Sequence, residues 1–549
     1  MTTLPVAPDV FHLYDTTLRD GAQQEGLRLT VADKLKIARL LDELGVHFIE
    51  GGWPGANPND TAFFAAAASG ELALANAKLT AFGATRRVGG RAASDPLTRA
   101  LLDAQTEVIC LVAKSHDEHV YRALRTDLAE NLAMITDTVR FLTGEGRRVF
   151  VDCEHFFDGY RANPSYALEV VRTAADAGAE VVVLCDTNGG MLPNWMGEVV
   201  SAAGGVGVDL GIHCHNDTGC AVANTLAAVD AGAMHVQGTM NGHGERTGNA
   251  DLVTVLANLQ LKYGWDVVLG EQLARATSIS HAVAAITHVA PNARQPYVGH
   301  SAFAHKAGLH ASAIKVDANL YQHTDPVHVG NDMRMLVSDM AGRANIQLKG
   351  GELGFDLSDR EIAARITDRV KQREAAGYSY ESADASFELL LRSELGQLTF
   401  PFEVQRWRVL TSSEPTDEGD SEGTVKVRVG ESVTSRVGEA FGPLSALDIA
   451  LRQALTPAFP AVESYELIDY KVRIIEMGHG TDAIVRVLID TTDGSRTWTT
   501  VGVGTNVVEA SWEALHDAYL WGLLTRESDV GSATAANVAE IADEVLVGG

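Results

Sequence analysis

The stretch "HLYDTTLRDGAQQEG" runs from His12 to Gly26, and its reading decides between two α/β folds. An apolar lead-in of strand type breaks into Asp15, Arg19 and Asp20, and a helix-like segment follows at 31–45. This is a first βα connection. In an open doubly wound sheet it would usually be a glycine-rich GxGxxG turn, and TTLRDGAQQEG is not one. Outward from it, short apolar runs alternate with amphipathic segments of three-and-four spacing. The runs are VHFIEGG, LTAFGAT, EVICLVA, RRVFVDCE, AEVVVLCDT, LGIHCHND and MHVQGTM. Eight such units between residues 10 and 264 match the size of a closed barrel. The expected fold is α/β, a (β/α)8 TIM barrel over 1–274, with the open sheet as the alternative.

The pattern then changes twice. Residues 275–400 read as a mainly helical linker subdomain, with turn chemistry at Asp325-Pro326. From Phe402, alternating segments FEVQRWRVL and GTVKVRVG flank the acidic run SSEPTDEGDSEG (412–423), which reads as a mobile loop. The helix-like PLSALDIALRQAL, a strand at DYKVRI, a hairpin over 482–504 and the helix-like NVVEASWEALHDAYLWGLL complete an α+β domain over 401–528. Residues 529–549 read as a small-residue tail with a short helical segment.

Composition narrows the function. The chain has 549 residues, is 46% hydrophobic and carries a net charge of −28. Nucleic acid and anionic membrane both require basic surfaces, so neither is expected as a partner. The five scattered cysteines include no CxxC pair, as in a reducing cytoplasm. The start MTTLPVAPDV has neither a basic nor an apolar run of signal type. The expected location is cytoplasmic.

A barrel of this kind forms its site at the C-terminal strand ends. Those ends here carry Asp15, Arg19, Asp20, Glu50, Arg86, Lys114, Asp152, Glu154, His155, Asp186, Thr187, His213 and His215, while the strand bodies are apolar. In "GIHCHND" alternation places His213 and His215 on one face and Cys214 on the other. Alone, that pair reads rather as two hydrogen-bonded histidines on a half-polar face. Acids at the other strand ends favour a divalent cation, with Asp20 the leading further ligand and Asn249 a neutral oxygen from the loop GHGERTGNAD. Zinc, manganese and magnesium all suit such donors. Arg19 beside the cation could polarise a carbonyl, and Gly21 lets its loop turn tightly.

Together, "DTTLRDGAQ", "HCHND" and "NGHGERTGN" resemble the metal-dependent Claisen-condensing barrels that include 2-isopropylmalate, homocitrate and citramalate synthases. "EGGWPGANPND", "FGATRR", "FVDCEHFFDGYRANP", "CDTNGG", "SAFAHKAGLHASA" and "VSDMAGRANI" resemble the citramalate branch most closely, and "DYKVRI" with "TVGVGTNVVEASWEAL" resembles the family's allosteric domain. One stretch departs: "KSHDEHV" (114–120) stands where relatives often have "KSWDFHV", so His116 and Glu118 would alter any pocket they line.

The resemblance implies acetyl-CoA and pyruvate as substrates, citramalate and CoA as products, and isoleucine as the feedback effector of a homodimer. It implies Asp20, His213, His215 and Asn249 as metal ligands, and Arg19 beside the keto oxygen. Glu154 and Thr187 would meet the oxo acid or the water. His310 and Tyr321, in the linker, match residues that reach a barrel site, often the partner chain's. His310 is the first choice of general base and Glu154 the second. Asp15 and Gln23 are expected to support the ligating residues. The alternatives are 2-isopropylmalate or homocitrate-type synthesis, an acyl-CoA lyase or aldolase, and a metal-stabilised sensor without turnover.

Overall fold

All eight apolar runs become strands, because each is short, β-branched or aromatic, and bounded by turn residues. The computed structural model describes residues 10–337, 343–416, 419–475 and 483–526. The strands are β1 (His12–Asp15), β2 (Phe48–Gly52), β3 (Lys78–Ala84), β4 (Val108–Lys114), β5 (Arg148–Glu154), β6 (Val181–Asp186), β7 (Asp209–Cys214) and β8 (His235–Gly238). They form a closed barrel in sequence order. Closure comes from parallel pairing of β1 with β8, where Tyr14 lies opposite Gln237.

Alternation along the strands separates two cores. One set of faces packs against the helices, with Leu13, Ile49, Ile109, Val151 and Ile212 fully buried. The other fills the barrel with Tyr14, Phe48, Phe82, Cys110, Phe150 and Val183. The helix Val31–Leu44 begins at a capping box, where Thr30 accepts from Asp33 N and Asp33 answers the Thr30 backbone, and it ends at left-handed Gly45.

A buried ion pair ties that helix to β2. Lys34 Nζ lies 2.5 Å from Asp60 Oδ1 and donates to Gly51 O at 2.9 Å, while Asp60 Oδ2 accepts from Trp53 N at 2.9 Å. Removing one partner of such a pair strands the other charge. We expect Asp60→Ala to destabilise the barrel by about 3–5 kcal/mol, read as a lowered urea midpoint of its unfolding transition. An unchanged midpoint would show that Lys34 finds water instead.

The chain divides into two compact units: Met1–Phe303 with His323–Met333, and Ala304–Gln322 with Arg334–Gly549. The first contains the barrel, the helix Ala276–Thr287 and a turn at Pro326–Val329 capped by Asp325. The second contains the helices Gly308–Ile314, Arg343–Glu352, Arg360–Ala375 and Asp384–Glu394, then two three-stranded antiparallel sheets. Helix Pro443–Leu455 lies on the first sheet. A β-carbon at Gly423 or Gly438 would fall 2.6 or 2.5 Å from the Ala446 backbone, so glycine permits that close approach. A helix over 507–526 follows the second sheet.

One expectation is corrected. The acidic run 412–423 is not a loop over most of its length: strands Glu403–Thr416 and Gly419–Val429 run through it, pairing Thr411 with Ser421 and Thr416 with Gly419. Ladder hydrogen bonds outweigh the unfavourable composition there, and pairing partners are invisible to a local reading. The strand Ser432–Ala440 was not anticipated either. Residues 338–342 of the "VSDMAGRANI" motif, and the tail at 529–549, lie outside the described residues.

Candidate active site

The loop after β1 is held by its own carboxylate. Asp15 accepts from Thr17 N at 2.8 Å and from Thr17 Oγ1 at 2.9 Å, and Thr17 Oγ1 accepts from Met240 N at 2.8 Å. Asp15 thus joins the β1 loop to the β8 loop. Gly21 has no left-handed φ; a β-carbon there would meet His243 Cβ and Thr239 Cγ2, both at 3.4 Å. Neither the backbone conformation nor the space therefore requires glycine there, so the tight turn expected of Gly21 is not observed.

That loop presents Asp20, only 4% exposed, to β7. Asp20 Oδ2 lies 3.2 Å from His213 Nε2 and 3.7 Å from His215 Nε2. One ligand-type atom from each of the three lies within 4.8 Å of the others. Cys214 points the opposite way, buried among helix-facing residues. Burial pushes the Asp20 carboxyl up, but Arg19 and the two histidines hold it well below the usual carboxylate range. For His213, burial acts downward and the hydrogen bond and charge of Asp20 outweigh it, raising the ring to about 8. His215 lacks such a close bond, and burial with the His213 charge lowers it to about 4.

Asn249 arrives through backbone pairing with His215. Its Nδ2 donates to His243 O at 3.0 Å, and its buried Oδ1 has no hydrogen-bond partner. Gly248 makes this loop possible: its φ is +86°, and a β-carbon would land 1.9 Å from Gly242 O.

Arg19 is fixed from three sides. Its Nε lies 2.5 Å from Glu50 Oε1, its guanidinium sits 3.9 Å above the Phe82 ring, and Nη1 is 3.6 Å from Asp20 Oδ2. Tyr14 donates to the other Glu50 oxygen at 2.5 Å. Beside these groups is a cavity of about 140 Å³ whose walls include Arg19, Asp20, Glu154, Thr187, His213 and His215. Phe82, Val112 and Cys185 are apolar portions of the wall. Glu154 is ion-paired to Lys114. Thr187 Oγ1 accepts from His155 N at 2.8 Å, and His155 takes a left-handed φ of 57° to make the strand-to-helix turn.

The barrel therefore brings together Arg19, Asp20, Glu154, Thr187, His213, His215 and Asn249. Gln23 is exposed but lines the same cavity. His116 and Glu118 are not among its walls; His116 instead stacks on His119 at 4.9 Å. His310 and Tyr321 belong to the other unit, where their rings stack at 4.0 Å. Burial pushes the Cys110, Cys153 and Cys185 thiols up, which does not suit a thiolate nucleophile.

Sequence reasoning missed three contributors. Glu50 was visible as a charged strand end, but not as the partner of Arg19. Gln237 sits inside β8 with no local signal. Arg246 binds Asp217 through Nε at 2.8 Å and donates to Thr187 O at 2.8 Å, lacing three loops together.

Three families match successive parts of the chain. Residues 10–283 match the HMGL-like family, 297–377 the homocitrate synthase post-HMGL domain-like family, and 381–520 the LeuA allosteric (dimerisation) domain. Over 95% of its length the chain is 61% identical to the (R)-citramalate synthase of Streptomyces coelicolor, covering 98% of that protein. The chain belongs to the citramalate synthase family. The enzyme of Synechocystis is 48% identical over 93% of this chain and 96% of its own. A 2-isopropylmalate synthase from Methanocaldococcus jannaschii is 30% identical over 95% of this chain and 96% of its own. The protein is thus an HMGL-like condensing enzyme with a LeuA-type allosteric domain. Among the described residues no helix is long and apolar enough to cross a membrane.

Proposed function

We propose that the enzyme condenses acetyl-CoA with pyruvate and water, releasing citramalate and CoA, in the cytoplasm and as a homodimer. The observation that carries the choice of oxo acid is the 61% identity over 95% of the chain with an (R)-citramalate synthase, against 30% with a 2-isopropylmalate synthase. The cavity beside Arg19 and the Asp20–His213–His215 cluster offers Phe82, Val112 and Cys185 as the apolar wall against which the methyl group of pyruvate would lie.

The cluster fits a divalent cation. Three buried donors converge, and the orphaned Asn249 Oδ1 and a His213 Nδ1 already engaged elsewhere leave oxygen and nitrogen lone pairs free for one. Asp20, His213, His215 and Asn249 would hold it. When bound, the ion supplies Lewis-acid polarisation of the oxo acid. Arg19, held by Glu50, offers fixed donors to the oxygen that gains charge. Thr187 and Glu154 orient the oxo acid and the hydrolytic water. His310 is our first choice for the base that takes the methyl proton, on family resemblance, and Glu154 the second; the Lys114 ion pair already engages one Glu154 oxygen. Asp15 and Gln23 support the β1 loop. The partition at residues 274, 400 and 528 belongs to this proposal.

A thiol-release assay with acetyl-CoA, a divalent cation and a panel of 2-oxo acids tests it. We expect pyruvate to exceed 2-oxoisovalerate in kcat/KM by at least tenfold, about the discrimination of ~1–3 kcal/mol that one or two methylenes provide. Preference for 2-oxoisovalerate would make the enzyme a 2-isopropylmalate synthase.

We further propose isoleucine as the effector. A cavity of about 650 Å³ between helix Pro443–Leu455 and strand Glu466–Ile474 has Leu444, Ile449, Leu467 and Tyr470 in its walls, with Glu466 available to an ammonium group. Isoleucine should inhibit thiol release, and Leu467→Asp should abolish that inhibition while leaving uninhibited turnover intact. Indifference of the wild type to isoleucine would leave the domain a dimerisation element.

A further inference from the structure

We propose that Gln237 and Asp152 are positioning residues that hold His213 in the one tautomer able to ligate a cation. The proposal rests on the metal reading above and adds to it a buried chain of three residues and two hydrogen bonds. His213 Nδ1 lies 2.7 Å from Gln237 Oε1, and Gln237 Nε2 donates to Asp152 Oδ1 at 2.9 Å. The barrel register makes the first link, since His213 on β7 and Gln237 on β8 are direct cross-strand partners.

The logic is one of donors and acceptors. Gln237 is fully buried and Asp152 is 4% exposed, so neither can turn to bulk water instead. An amide has a donor end and an acceptor end. The Asp152 oxygen accepts, so it takes the amide nitrogen. Only the carbonyl end is left for His213, and that end requires the ring proton on Nδ1. The neutral ring then presents the Nε2 lone pair toward Asp20 Oδ2, 3.2 Å away, where a cation would be held. Reversing the amide would set oxygen against oxygen at Asp152. It would also force the ring proton onto Nε2 and block ligation. His215 has no such device: its buried Nδ1 lacks a hydrogen-bond partner. The tautomer of the pair is therefore enforced at His213.

The test uses the full-length protein as wild type, Gln237→Leu and Gln237→Glu. Leucine keeps the volume and removes the acceptor. A protonated glutamic acid restores the pattern, with a carbonyl for His213 and an O–H for Asp152. Zinc affinity is measured by competition with a chelator. The His213 tautomer is read by 15N NMR of the metal-free, histidine-labelled protein at about pH 10, well above the value of about 8 to which Asp20 raises this ring. We expect Gln237→Leu to lose about 10–100-fold in zinc affinity and to show mixed tautomers, and Gln237→Glu to stay within a few-fold of wild type. Unchanged tautomer and affinity in Gln237→Leu would overturn the proposal. Should that variant not fold, a tenfold loss in a folded Gln237→Glu overturns it instead. A wild type that binds no zinc, manganese or magnesium would overturn the metal reading, and the NMR result would then decide the tautomer chain alone.

Discussion

His213→Ala is expected to lower cation-dependent thiol release by about 10³-fold or more, beyond the ~10²–10³ commonly lost with one oxyanion-hole donor. The substitution removes the Nε2 atom 3.2 Å from Asp20 and opens a gap in the buried cluster. The barrel should survive. Its cost is one orphaned carbonyl at Gln237, about 1–3 kcal/mol, because the strand backbone pairing is untouched. Activity is read at saturating pyruvate over a titration of zinc and manganese, and folding by circular dichroism. Full activity in the folded variant would refute the ligand assignment. Recovery at very high cation would instead indicate that Asp20, His215 and Asn249 suffice at reduced affinity.

Arg19→Lys should cost about 10²–10³-fold in kcat/KM for pyruvate, again on the scale of one lost transition-state donor. The charge is kept, so a purely electrostatic role would predict a small effect. The guanidinium does more. Its Nε is engaged by Glu50 at 2.5 Å and its plane lies 3.9 Å from Phe82, which leaves the remaining donors aimed in one direction. An ammonium group is a point charge without that fork and cannot serve both partners at once. Glu50 would lose its bonded partner in a site where burial already pushes its carboxyl up. Glu50→Gln should therefore reduce kcat/KM as well, but by less, because the amide oxygen can still accept from Arg19. Steady-state kinetics of both variants check this ordering, and near-wild-type turnover in Arg19→Lys would exclude a directional role for the guanidinium.

Much of the site was legible because barrel strands are local objects. Each apolar run ends where its polar residues begin, so Glu154 and His213 could be placed at strand ends, and Asp20 and Thr187 just beyond them, from the pattern of runs. The HxH spacing set His213 and His215 on one face and Cys214 on the other, and the distances to Asp20 agree with that placement. The acidic segment at 412–423 was misread for the complementary reason. Its composition is that of a loop, and only an antiparallel partner strand makes it a hairpin.

By itself, then, the chain's order of residues determined the eight βα units, the polar ring at their ends and the family. Those signals are periodic or contiguous, and a local reading suffices for them. Tertiary structure alone decided which polar groups bond to which. Glu50 meets Arg19 across 31 positions, and Gln237 meets Asp152 across 85. Barrel closure brings β8 beside β1 and places these strands around one interior. A buried polar side chain there must take whatever partner the register supplies, because no water competes for it.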